Sequence, residues 1–351
     1  MADRTRPRLK RHYSIVAHSA NVVELRYGTW NAVSLTLTDE GGSGHLLSVL
    51  RRLDGTLSSA EIAAAEGAPK AEVESLLNHL GDLDLLEERS SHALDHYLDE
   101  IASTLMPYRD GRASSVRPSP VVFGDQRIGE EIVRLLAASG PSDGLDNLGG
   151  DVATRQRLVA CAQASLEDGL GFEEAAAPFE RWSGRFAVFA TSTVNPLELR
   201  GFNRVSLYHR IPWLHATVDG PFLLVGPTFV PFRSACFECL ETRILMNLRE
   251  SASYQRYKQA LVDGRVVGAT APLDTVLEAM LASLTAFEAL NFLLTGASFT
   301  VGKVLAVYLP TMEFTFNEVL RVPGCPACSP TPERDERELY FDIRALLQGA
   351  H

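Results

Sequence analysis

The chain has 351 residues, 46% of them hydrophobic, 22% charged and 8% aromatic, a composition that supports two or three packed domains and excludes wholesale disorder. Its 33 Lys and Arg against 44 Asp and Glu leave a formal charge of −11, which opposes broad attraction to nucleic acid or to an anionic membrane. No run reaches about 18 uninterrupted apolar residues, and the basic start MADRTRPRLKRHY has no apolar stretch behind it, so the expectation is a soluble, cytoplasmic protein with no membrane and no nucleic-acid partner.

Residues 13 to 38 read as three short strands, YSIVAHS, NVVELRYG and WNAVSLTLT, the last alternating Val33, Leu35 and Leu37 with Ala32, Ser34 and Thr36. Gly41, Gly42 and Gly44 end them. Leu46, Leu47, Val49, Leu50 and Leu53 then fall at helical spacing, and Ser58 or Ser59 can cap a second helix that holds Ile62. Pro69 starts a third helix, whose apolar stripe is Val73, Leu76, Leu77, Leu80 and Leu83. The expectation is a winged-helix-like β3α3 module over residues 1–90. A polar helix from about 92 to 106 and the Arg-, Ser- and Pro-rich GRASSVRPSP make a connecting segment over 91–119.

A second domain over 120–351 opens with the buried strand VVFG and a helix through Ile128, Ile132 and Leu136, a β-turn-α start. FAVFAT at 186–191 is a strand of the same kind, whereas GLDNLGG around Asp146 does not read as one. From 211 strands alternate with Gly/Pro turns. A helical region from 240 to 261, an apolar helix from 274 to 295 and the strands KVLAVYLP and MEFTFNEVL follow, so the class is α/β. The stretch 274–295 is apolar around most of its circumference. Asp274, Glu278, Glu288 and Asn291 interrupt it and Gly296 stops it, which favours a buried or dimer-forming core helix over a membrane span.

Four of the five cysteines form two C-x-x-C pairs, Cys236 with Cys239 and Cys325 with Cys328. Each pair sets two thiolates one tight turn apart, the spacing at which both reach one tetrahedral ion, so together they make a four-cysteine zinc site. Positions 240 to 324, 85 residues, separate the pairs, so the metal should staple distant loops of a folded domain in a structural role. Cys161 is left as a core residue. The turn Gly124-Asp-Gln-Arg-Ile-Gly129 has the place of a phosphate loop, but Gln126 replaces the middle glycine of G-x-G-x-x-G and Asp125 brings negative charge to it. The nucleotide site is read as degenerate, with ATP not expected to bind.

The strand-turn-helix start, FLLVGPTFVPFRSACFECLE, the long apolar helix and the closing PGCPAC resemble the ubiquitin-activating and ThiF-type adenylating family over about residues 120–330. That resemblance implies a Rossmann-like domain with structural Zn2+ on Cys236, Cys239, Cys325 and Cys328, nucleotide glycines reduced to Gly124 and Gly129, and Thr193, Val194 and Asn195 where active members carry an acid. The N-terminal unit resembles a RiPP recognition element, the module that reads leader peptides of ribosomally made natural products. Its fusion to a degenerate ThiF-type domain is similar to the ocin-ThiF-like, C-type cyclodehydratase partners of azoline biosynthesis, which serve bacteriocin and thiopeptide pathways. The resemblance implies a scaffold without catalytic residues. It would bind a precursor leader peptide and work with a YcaO-type cyclodehydratase that forms thiazolines or oxazolines, and it would itself be a homodimer.

In that reading the leader adds a strand beside Ala32, Val33, Ser34, Leu35, Thr36 and Leu37 and lies against Val73, Leu76, Leu77 and Leu80. The same residues can instead form the module's own core, and Arg4, Arg6, Arg8, Lys10 and Arg11 can attract an acidic leader or be a solvated terminus. Two other classes are weighed. An active adenylating enzyme needs a better phosphate turn and an acid near Asn195; a winged-helix DNA-binding regulator needs a basic third helix, and PKAEVESLLNHLGDLDLLEE holds one Lys among several acids.

Overall fold

The computed structural model describes residues 6–30, 33–87, 118–139, 143–167, 169–267 and 274–329. It divides into two compact units, Met1–Ile101 and Ala102–His351. The polar helix expected near 92–106, Ala32 and Arg4 lie outside the described residues.

In the first unit a short strand β1 (Arg8–Leu9) precedes β2 (Ser14–Ala17), β3 (Val22–Tyr27) and β4 (Val33–Thr38), which form an antiparallel sheet in that order. Helices α1 (Leu46–Arg51), α2 (Ser59–Glu66) and α3 (Lys70–Asp82) follow, and β5 (Leu86–Glu87) pairs back with β1. The local chemistry sets these ends. Ser58 and Glu61 make a reciprocal capping box at the start of α2, Gly67 closes it in the left-handed region, and Pro69 stands just outside α3 at its N-cap. Leu25 and Leu37 of the sheet bury against Leu50, Ile62, Val73, Leu77 and Leu80.

The second unit is built on a seven-stranded sheet in the order β12-β11-β10-β9-β8-β6-β7. Strand β6 (Pro120–Gly124), helix α4 (Gln126–Ser139), β7 (Asp146–Gly149), α5 (Val152–Glu167), α6 (Gly169–Ala176), β8 (Phe186–Thr191), α7 (Pro196–His209) and β9 (Trp213–Asp219) make the parallel part. Strands β6 and β8 are buried at every residue, as parallel strands covered on both faces must be. Asp146–Gly149 is a strand after all. It is a four-residue polar edge whose pairing with Val121–Gly124 rather than its own apolar pattern makes it one.

The direction changes after β9. Gly220-Pro221 turns the chain tightly into β10 (Phe222–Phe229), antiparallel to β9, and the helical region expected over 240–261 consists of two helices, α8 (Phe237–Asn247) and α9 (Ser251–Val262). Helix α10 (Thr275–Thr295) starts on an Asp274 side-chain cap and stops at left-handed Gly296. Among the described residues it is the one helix long and apolar enough to cross a membrane, and 56% of its apolar window is buried in the fold. Its Phe292 stacks on Phe186 of the sheet, so it is a core helix. Strands β11 (Lys303–Tyr308) and β12 (Glu313–Glu318) complete the antiparallel edge.

Candidate metal centre, nucleotide turn and peptide edge

Open α/β sheets bind ligands beyond the carboxyl ends of their strands where the strand order reverses, here between β6 and β8. Gly124 ends β6 at φ 119°, and a Cβ there would lie 2.0 Å from the Ala190 carbonyl oxygen. Glycine is required by the neighbouring strand, independently of any phosphate. A Cβ on Gly129 would stand 3.3 Å from the Gly149 Cα, so this glycine lets α4 lie close to β7.

Asp125 occupies the mouth of the crevice. Its carboxylate accepts the Ser192 N–H at 2.7 Å and the Ser192 hydroxyl, and pairs with Arg155 Nη1 at 3.1 Å. Arg155 Nε donates to Glu198 at 2.9 Å; Asn195 Nδ2 donates to the other Glu198 oxygen at 2.9 Å while its Oδ1 caps α7. Burial raises the Glu198 carboxyl above the usual range, against the opposing pull of Arg155. An anion entering here meets two carboxylates and an arginine already held by both. The acid at the tip of the second strand is Asp151. It caps α5 through the Ala153 N–H at 3.0 Å and the Thr154 hydroxyl at 2.7 Å. The D-x-x-T capping pattern was the signal for it, and Asp146, at the other end of that strand, pairs instead with Arg185.

The four paired cysteines come together. Cys236 precedes α8, Cys239 lies in its first turn, and Cys325 and Cys328 follow the left-handed turn at Gly324 beyond β12. All four sulfurs lie within 4.8 Å of one another, with Cys236 to Cys239 at 3.8 Å, Cys236 to Cys325 at 3.7 Å and Cys239 to Cys328 at 3.5 Å. A tetrahedron with metal–sulfur bonds of about 2.3 Å has edges of about 3.8 Å, whereas a disulfide needs sulfurs about 2.05 Å apart. All four are buried. Burial pushes the Cys328 thiol up to about 11 and the Cys236 thiol further, while the Val322 N–H, 3.3 Å from the Cys239 sulfur, helps hold that thiol below its ordinary value despite burial. The donor set fits a metal ion and is compatible with structural zinc. Four thiolates fill its coordination shell and leave no position for a reacting water.

Around these sulfurs stand residues that spacing alone did not reveal. Arg204 of α7 forks onto Glu238 inside the first C-x-x-C turn at 2.6 and 2.9 Å, and its Nη1 reaches the Pro326 carbonyl inside the second at 3.3 Å. Asn203 Oδ1 accepts the Phe237 N–H at 2.9 Å, and Arg321 donates to the Cys328 carbonyl at 2.7 Å. Arginines carried on two other segments thus surround a group that becomes anionic when metallated. Cys161 is buried away from this cluster, in the core beneath β6 and β8.

In the first unit β4 pairs only with β3, so among the described residues its outer edge is free. Beside its end lies a groove of about 340 Å³ lined by the apolar Leu46, Val49, Val73 and Leu76 and by the polar Thr38, Asp39, His45, Glu72, Ser75 and His79. Ser34 and Thr36 are exposed, Leu35 is half-buried and Leu37 is buried. Val33 belongs to the strand. Leu77 and Leu80 do not line the groove: they share the apolar stripe of α3 with Val73 and Leu76 but are buried in the module's core, because a helical stripe this wide has more leucines than one groove can meet.

No family model and no curated protein matches the sequence. Solved structures match by fold. The heterocyclase TruD superposes with a TM-score of 0.61 at 20% identity over 93% of this chain and 43% of that one. A heterocyclase in complex with substrate and cofactor gives 0.61 at 17% identity over 93% and 40%. MccB of E. coli, with AMPCPP and MccA, gives 0.52 at 14% identity over 93% and 100%. The chain therefore spans less than half of the heterocyclase chains it matches and the whole of MccB. The mixed α/β fold expected from the sequence, with one large sheet in the second unit, is the fold found.

Proposed function

We propose that this chain is the leader-peptide-binding scaffold of an azoline-forming RiPP system. Its winged-helix-like first unit binds a precursor leader, and its ThiF-type second unit, held by one structural Zn2+ on Cys236, Cys239, Cys325 and Cys328, presents the attached core peptide to a YcaO-type cyclodehydratase. The observation that carries the reading is the β4 edge, free among the described residues, beside a partly apolar groove. An extended peptide adding to such an edge gains main-chain hydrogen bonds, and the half-buried Leu76 offers an anchor for its side chains. Likeness to heterocyclase folds over nearly the whole chain supports the same direction. The chain carries no adenylating chemistry in this reading, and it self-associates through its second unit.

A second reading, an adenylating enzyme acting on a peptide carboxylate, draws on the match that spans all of MccB. The Asp125–Arg155–Glu198 chain of ion pairs across the nucleotide turn weighs against it.

Fluorescence anisotropy of the full chain with a labelled leader peptide tests the proposal, with a Kd of about 1 μM, or about −8 kcal/mol, expected. Ser34→Pro and Leu35→Pro bracket both possible hydrogen-bonding phases of the edge, so one of them should abolish binding. Leu76→Ala should weaken it, and Leu80→Ala should act on stability alone. Equal cyclisation of leader-bearing peptide by the YcaO partner with and without this chain would refute the scaffold role.

A further inference from the structure

We propose that the chain pairs with a second copy of itself along the outer edge of β12. This deepens the self-association proposed above by naming its surface, and moves it from helix α10, which is mostly buried, to the sheet beside it.

The rows of the large sheet carry the argument. The pairing register aligns Ala190, Ala216, Val225, Leu305 and Phe316 from β8 to β12, and side chains aligned in this way point to one face. Phe186, two pleats along β8 from Ala190, shares that face and stacks on Phe292 of α10 at 4.5 Å. The row therefore lies on the side that α10 covers. Along it exposure is 0% at Ala190, Ala216 and Val225, 7% at Leu305 and 52% at Phe316. The next row ends in the same way, with Leu223 and Val307 fully buried and Phe314 51% exposed. The sheet remains apolar to its rim, but among the described residues the helical layer stops short of it.

The rim is also open to pairing. Among the described residues β12 is the last strand of the sheet, and it has no proline, lysine or bulge to block a neighbour, with its two charges, Glu313 and Glu318, at its ends. A second copy suits it because antiparallel pairing about a two-fold axis is self-complementary. With Thr315 on the axis, Phe314 faces the partner's Phe316 and Glu313 faces the partner's Asn317, so apolar rings meet and no like charges oppose. The exposed parts of Phe314, Phe316, Met312 and Leu320 offer roughly 400 Å² per protomer, at about 200 Å² for a large side chain. With the paired backbone, both copies together bury about 1,000 Å², the lower bound for a specific interface.

Light scattering on the full chain at micromolar concentration should give a dimer. Thr315→Lys and Thr315→Glu each set two like charges on the axis, and each variant should be a monomer with an unchanged far-ultraviolet circular dichroism spectrum. Mixed in equal amounts, the two variants should return to the dimer mass. Phe316→Gln, at the exposed end of the row, should also give a monomer, and serves if either Thr315 variant misfolds. A monomeric wild type overturns the proposal together with the self-association itself. Variants that stay dimeric, or a mixture that stays monomeric, overturn the β12 pairing alone and leave the self-association standing.

Discussion

Arg204→Met removes the guanidinium that, among the described residues, touches both cysteine turns. Glu238, its partner, is 4% exposed and receives two charge-assisted hydrogen bonds from it, at 2.6 and 2.9 Å. Stripping one member from a buried ion pair costs about 3–5 kcal/mol, because the other charge stays buried and unpaired. Arg200, with its Nη2 at 3.7 Å from the same carboxylate, recovers part of that, which brings the expected loss to about 2–3 kcal/mol. For a unit of this size each kcal/mol moves the melting midpoint by about 2–4 °C, so the midpoint should fall by about 4–12 °C. The loss also frees the Pro326 carbonyl in the second turn, so zinc should pass to a chromogenic chelator about 10–100 times faster. Arg204→Lys keeps the charge without the fork and should fall between. Glu238→Gln combined with Arg204→Met should cost less than the two single changes added together. An unchanged midpoint with an unchanged rate of zinc release would refute the clamp.

Metal analysis should find one zinc per chain, and Cys328→Ser should lose it and destabilise the second unit strongly, since binding and folding of such a site are coupled; a zinc-free protein of equal stability would refute this. Calorimetry with ATP and magnesium should show no binding, because Asp125 and Glu198 already hold Arg155; tight binding or pyrophosphate exchange would promote the adenylating reading. Burial pushes the His215 imidazole down to about 3, so the folded chain holds it neutral, while the unfolded chain protonates it near pH 6.5. The stability tied to this group is fully present above pH 6.5 and is lost as pH falls toward 3, at about 1.4 kcal/mol per pH unit. Denaturant titrations should show a flatter acid profile for His215→Phe, and an identical slope would exclude the group.

Much of the chain could be read locally. FAVFAT and VVFG announce buried strands because their residues are apolar up to the closing Thr191 and Gly124, the capping box at Ser58 starts its helix without outside help, and a three-residue step between cysteines is enough to mark a metal turn. All of these depend on neighbours a few positions away. Asp146–Gly149 is a strand only because β6 lies beside it, and Leu77 and Leu76 differ in role only because the sheet meets one side of α3. Asp125, Arg155 and Glu198 carry no mark of their union across 73 positions, nor do Arg204 and Pro326 across 122. Phe314 and Phe316 alternate like any half-buried strand. That they stand in solvent was decided by where α10 ends over the sheet, since periodicity records that a face is apolar but not what, if anything, covers it.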